Sequence, residues 1–174
     1  MARVVAEAVA GVVRERAAKG QKAVIGLTTG STPLGVYREL IRLHRDEGLD
    51  FANVVTFNPD EYRGVPPEQL QSRRRWMQDH FFAHVNIAPE NIHFLDGLAP
   101  ADDVEEVCRR YDQAVEAAGG IDIQLLGIGR NGHIAANEPY SPRHAQTRLA
   151  TLDPLTRKTR PAISSATKTC RCRR

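Results

Sequence analysis

Apolar residues recur at helical spacing through residues 3–18 (RVVAEAVAGVVRERAA), which predicts an amphipathic helix. The run at 22–27 (KAVIGL) is short and almost wholly apolar, the pattern of a strand covered on both faces. A turn of hydroxyl residues and glycine follows at 28–33, and Pro33 suits the first position of a helix reaching about Glu47. The pattern continues with a strand at 53–57, a polar loop at 58–67, a helix at about 71–82 and a short strand at 92–95. A helix at 101–118 leads into a strand at 121–126, and another apolar run spans 147–151. Alternating strands and helices predict a doubly wound α/β domain with a mostly parallel sheet.

Composition changes this picture little. With 174 residues, 41% hydrophobic and 26% charged, the chain suits one domain with a substantial core. No apolar stretch approaches a membrane span, and the first residues mix charge with apolar positions, unlike a signal peptide. The expected location is cytoplasmic. Charge is more informative: residues 157–174 hold seven basic residues and no acid, while the remainder carries 17 basic and 21 acidic residues. Cys108 reads as a small core residue, and Cys170 and Cys172 are too closely spaced for an ordinary zinc site. His80 and His84 share a helix face without a third ligand nearby, so they read as surface residues and no metal is expected.

In an open α/β sheet, ligands bind beyond the carboxyl ends of the strands, which singles out three polar loops. The first, LTTGSTP at 27–33, offers hydroxyls and backbone N–H groups at a helix N-terminus. That composition suits a phosphate cradle, but Ser31 or Thr32 as a plain N-cap reads equally well. The Gly-Lys-Ser/Thr ending of a triphosphate loop is absent. The second places Asp60 and Glu61 just beyond a buried strand, as a general base or as a turn acid capping the next element. The third, GIGRNGHIAANEP at 127–139, contains a dinucleotide-type glycine pattern (Gly127, Gly129, Gly132), with Asp153 at the matching distance. Pro139 and Pro142 leave no room for the helix such a site needs, so the acid's spacing is coincidental. The glycines instead let a loop carrying Asn131, His133, Asn137 and Glu138 bend closely around a ligand. A histidine with a carboxylate and an amide beside it is an acid/base constellation.

Together, GLTTGSTPLGVY, VVTFNPDEY, NIHFLDG and GIGRNGHIAANEP, in this order and spacing, resemble glucosamine-6-phosphate deaminases, whose wider family includes 6-phosphogluconolactonases. The resemblance runs from about residue 20 to residue 157. It implies an α/β, Rossmann-like, doubly wound fold and conversion of glucosamine 6-phosphate to fructose 6-phosphate and ammonia. It further implies that Asp60 is the base acting at C2 and C1. His133 would serve ring opening, oriented by Asn131 and Glu138, while Thr29, Gly30, Ser31 and Thr32 would hold the 6-phosphate. No cofactor is implied. The partner is a small hexosamine phosphate, with neither nucleic acid nor membrane, and a homo-oligomer is open to the full-length parent.

Three departures qualify the resemblance. Position 131 is Asn where some members carry Asp. Arg148 matches an arginine that binds a second, allosteric phosphosugar in regulated members, but the partnering lysine is replaced by Ala150, which argues against such control. Residues 73–75 (RRR) replace a tyrosine-containing stretch and read as a solvated helix face, with nucleic-acid contact a distant second.

The likeness stops after residue 157. Residues 158–174 lack helical or strand periodicity, and a shifted reading of their codons permits a globular-looking sequence. The expectation is therefore a sugar-phosphate isomerase/deaminase domain over 1–157, its sheet incomplete at the C-terminus, followed by an out-of-frame, unstructured basic tail. Such a chain is expected to be poorly active and prone to aggregate. A lactonase of the same superfamily and a non-catalytic sugar-phosphate-binding remnant are the alternatives.

Overall fold

The computed structural model describes residues 1–142, 144–154 and 168–170. Four parallel strands form the main sheet: β1 (Ala23–Gly26), β2 (Val54–Phe57), β3 (Ile92–His93) and β4 (Ile123–Gln124), in the spatial order β3-β2-β1-β4. Helix α1 (Ala2–Ala18) precedes the sheet, and α2 (Leu34–Glu47), α3 (Arg73–His80) and α4 (Val104–Ala117) lie in the successive crossovers. The doubly wound parallel sheet read from the hydrophobic pattern is the architecture observed.

Strand alternation decides which helix covers which face. Ala23, Ile25 and Leu27 point to one side, where they meet Ala6, Val9, Ala10 and Val13 of α1 and Tyr37, Leu40 and Leu43 of α2. Val24, Val55 and Phe57 point to the other, against Cys108 and Tyr111 of α4. The expectation of Cys108 as a core residue is met. Both central strands are buried along their whole length, which is why they are almost purely apolar in sequence.

This winding creates the crevice. From β1 the chain crosses to β2 over one face, and from β3 it returns to β4, on the far side of β1, over the other. Strand order therefore reverses between β1 and β4, and loops leaving the carboxyl ends of these strands part to open a binding cleft.

Several elements are shorter than their sequence patterns. The strand expected at 121–126 narrows to two residues, with Leu125 still donating its N–H to the Gly26 carbonyl at 2.8 Å. The helix expected at 71–82 ends at His80 because Phe81 adopts φ −146°, ψ −61°, and a 3₁₀ turn at Phe82–His84 follows. Pro33 is the N-cap of α2 rather than its first residue. A second, two-stranded antiparallel sheet pairs β5 (Leu149–Thr151) with β6 (Lys168–Cys170). Lys168–Cys170 are the part of the tail that falls among the described residues. An edge strand such as β5 offers a row of backbone groups that can template pairing irrespective of side-chain periodicity. The rest of the tail expectation lies outside the described residues.

Candidate active site

A cavity of about 650 Å³ opens at the strand-order reversal. It is walled by the turn at 28–33, by Asp60 and Arg73, and by the loop after β4, including Asn131 and His133. All three loops singled out by polarity thus meet in one place.

The turn at 28–33 is anchored from beneath. Tyr37, fully buried in α2, donates its hydroxyl to the Thr28 carbonyl at 2.5 Å and accepts from the Thr28 N–H at 3.2 Å. Burial pushes the Tyr37 phenol well above its usual range, partly offset by the Thr28 backbone bond, so it stays protonated. The N-cap of α2 is Pro33, which makes no side-chain cap bond, so neither Ser31 nor Thr32 holds the N-cap position that the sequence left open. Thr29, Gly30, Ser31 and Thr32 line the cavity instead.

The two acids after β2 have separate fates. Glu61 turns away from the cavity and caps α3: Oε1 accepts from the Tyr62 and Arg73 N–H groups at 2.8 and 2.9 Å. Its Oε2 accepts from the Ser72 hydroxyl and the Arg74 N–H at 2.9 and 3.0 Å. The turn-acid role belongs to Glu61. Asp60 faces the cavity, with its side chain only 9% exposed. Its Oδ2 accepts from Arg73 Nε at 3.1 Å.

Arg73 corrects the reading of 73–75 as a solvated face. Arg74 is exposed and Arg75 pairs with Asp79, as that reading required, but the Arg73 side chain is only 12% exposed. Its Nη1 donates to Thr29 Oγ1 and its Nη2 to the Tyr62 hydroxyl, both at 2.6 Å, and the guanidinium lies 4.4 Å from the Tyr62 ring centroid. Burial disfavours the Arg73 charge, but Asp60, Tyr62 and Glu61 outweigh it, so the guanidinium is held charged more firmly than usual. Burial likewise pushes the Tyr62 phenol above its usual range, against the pull of Arg73.

Across the cavity, Glu138, Asn131 and His133 form a chain. Asn131 Nδ2 donates to Glu138 Oε2 at 2.8 Å, and Asn131 Oδ1 lies 2.7 Å from His133 Nδ1. A carboxylate only accepts, so the amide must turn its NH₂ to Glu138 and its oxygen to the imidazole. Nδ1 is then the donor, which leaves Nε2 as the ring nitrogen not engaged by Asn131. Asn at position 131 thus acts as a relay between carboxylate and imidazole. Glu138 Oε1 also accepts from the Asp153 N–H at 3.0 Å, which gives Asp153 a place in the loop unrelated to a nucleotide ribose.

The glycines of this loop serve the loop itself. A side chain on Gly129 would collide with the His133 ring, and Gly132 adopts φ +85°. The close approach expected around a ligand is, at Gly129, an approach of the loop to its own histidine. Ala135 and Tyr140 also hold positive φ (55° and 70°), a strained state for residues with a Cβ.

Arg148 does not line the cavity; its Nη2 donates to Ser141 Oγ at 3.1 Å. His80 packs on Trp76, while His84 Nε2 contacts the Asp79 carbonyl, so these histidines have different partners. Among the described residues, no helix is long and apolar enough to cross a membrane.

Fold and cavity define an α/β protein in which Asp60, Arg73, Asn131 and His133 line one cavity at the strand-order reversal. The sequence matches the family described as glucosamine-6-phosphate isomerases/6-phosphogluconolactonase over residues 1–170, and the chain belongs to that family. Glucosamine-6-phosphate deaminase 1 of Giardia intestinalis is 58% identical over 129 residues, covering 74% of this chain and 48% of the relative. The deaminase of Bacillus velezensis is 48% identical over 153 residues, covering 87% and 62%. Among solved structures, a monomeric glucosamine-6-phosphate deaminase superposes with TM-score 0.90 at 40% identity, over 99% of this chain and 71% of that one. The 6-phosphogluconolactonase of Leishmania guyanensis, 20% identical with TM-score 0.75, shares the fold. The chain spans about half the length of the two Giardia intestinalis deaminases that it matches.

Proposed function

We propose that the cavity is the site of a glucosamine-6-phosphate deaminase. The observation that carries this reading is a buried acid, Asp60, sharing one cavity with an oriented histidine and a hydroxyl-rich turn at a helix N-terminus. The turn at 29–32 takes the 6-phosphate. His133 moves the proton that opens the pyranose ring, held in one tautomer by Asn131 and Glu138. Asp60 removes the proton from C2 of the open-chain sugar and returns it to C1, while a proton passes from the amino group to O1, leaving an imine at C2 and a hydroxyl at C1. Water adds to that imine and ammonia leaves, giving fructose 6-phosphate. A cytoplasmic location for the enzyme belongs to the same reading.

A lactonase would use the same turn and His133 but gives a buried acid at position 60 no task. Ammonia released from glucosamine 6-phosphate, with no hydrolysis of 6-phosphogluconolactone, is the expected result. Lactone hydrolysis without ammonia release would overturn the proposal.

A further inference from the structure

Arg73 ties the two ends of the cavity together. Its Nε bonds to Asp60 Oδ2 and its Nη1 to Thr29 Oγ1, so one rigid guanidinium spans the acid and the turn. The group is nearly buried and planar, with donors in a fixed fork that suits a phosphate as well as a carboxylate. The turn itself, at 28–33, carries hydroxyls and backbone donors but no cation. A phosphate dianion seated against Thr29 is therefore within reach of Nη1, and the nearest anion already holding that guanidinium is Asp60.

We propose that Arg73 is a specificity-determining ligand for the dianionic end of the substrate, and that dianion and Asp60 compete for it. Arg73 holds Asp60 through Nε. Filling the turn draws the guanidinium toward the dianion and releases the carboxylate for proton transfer. An amino sugar without a phosphate leaves Asp60 engaged, so selection for the phosphorylated substrate acts on the chemical step as well as on binding. Naming Asp60 as the base and a sugar 6-phosphate as the dianion rests on the deaminase reading; the competition for Arg73 does not.

The test uses inorganic phosphate as the probe and the 174-residue chain. Dissociation constants are measured for the unchanged chain, Asp60→Asn, and the double variant Asp60→Asn/Arg73→Met. Removing Arg73 alone would strand a buried carboxylate, whereas the double variant removes both charges and keeps the comparison interpretable. Asp60→Asn is expected to bind phosphate several-fold more tightly than the unchanged chain. The double variant is expected to bind about tenfold more weakly than Asp60→Asn, the scale of one charge-assisted hydrogen bond. In the unchanged chain, saturating phosphate is expected to shift the Arg73 Nε–H NMR signal, assigned by its absence from the double variant. Equal affinities for Asp60→Asn and the double variant would overturn the proposal, as would an unmoved Arg73 signal. Ammonia release is read separately, on the chain with its reading frame restored after residue 157, because the 174-residue chain is itself expected to be poorly active. Absence of ammonia beside an intact phosphate competition would sink the deaminase reading alone, and turnover with phosphate binding indifferent to Arg73 would sink this one alone.

Discussion

The imidazole of His133 occupies the space that a side chain on Gly129 would need, and the Gly129 N–H donates to the His133 carbonyl at 2.8 Å. The loop after β4 is folded onto its own histidine. Ring position, tautomer and loop path are therefore set together, by Gly129 on one side and by Asn131 on the other.

Gly129→Ala should displace the ring and act as a mutation of His133. Its expected cost in deamination is about 10²–10⁴-fold, the scale of a general acid/base contribution. His133→Gln should fall in the same range and slow the closed-ring sugar more than an open-chain form, since ring opening is the step assigned to it. Steady-state rates on both forms check this. A Gly129→Ala chain with full activity would show that the ring position does not matter.

Glu61 is expected to matter for stability rather than chemistry. Replacing it with Ala removes the acceptor for three backbone N–H groups and the Ser72 hydroxyl. The expected loss is about 2–4 kcal/mol, against about 1 kcal/mol for Ser72→Ala at the helix cap. Urea unfolding of both variants measures it. A loss at Glu61→Ala smaller than that at Ser72→Ala would contradict the capping role.

His93 supplies a pH dependence. Its ring stacks on Phe57 at 4.5 Å, and burial, with nearby Lys22, holds its pKa below the ordinary value. The unfolded chain therefore takes up this proton first, so stability rises with pH across the interval between the folded and unfolded values. On acidification stability should begin to fall near pH 6.5, the ordinary value of about 6.5, and this contribution should level off below the lowered folded value. His93→Gln should make the slope shallower in denaturant unfolding at a series of pH values. An unchanged slope would show that His93 does not carry it.

Much of this was legible in the residues because it depends on local pattern. Short apolar runs marked β1 and β2, since strands buried on both faces admit nothing else. The polar composition of 28–33, 58–64 and 127–139 marked the cavity walls, because a loop beyond a strand end has little other reason to carry so many hydrogen-bonding groups. Arg73 was not legible. Three consecutive arginines look like a solvated face, and what buries the first of them is a pairing with Asp60, thirteen residues earlier, that only the tertiary fold creates. The split between Asp60 and Glu61 was hidden for a similar reason: which of two adjacent acids turns inward depends on where the N-terminus of α3 comes to lie. The purpose of Gly129 was half legible, as close approach, but the partner proved to be a side chain of the same loop.

The proposed reaction depends above all on Asp60 as the base that moves a proton from C2. Exchange of the C2 hydrogen of glucosamine 6-phosphate with deuterated solvent, followed by NMR for the unchanged chain and for Asp60→Asn, tests this most directly. The prediction is exchange that accompanies turnover in the unchanged chain and is abolished in Asp60→Asn, with substrate still bound. Exchange that persists in Asp60→Asn would contradict it.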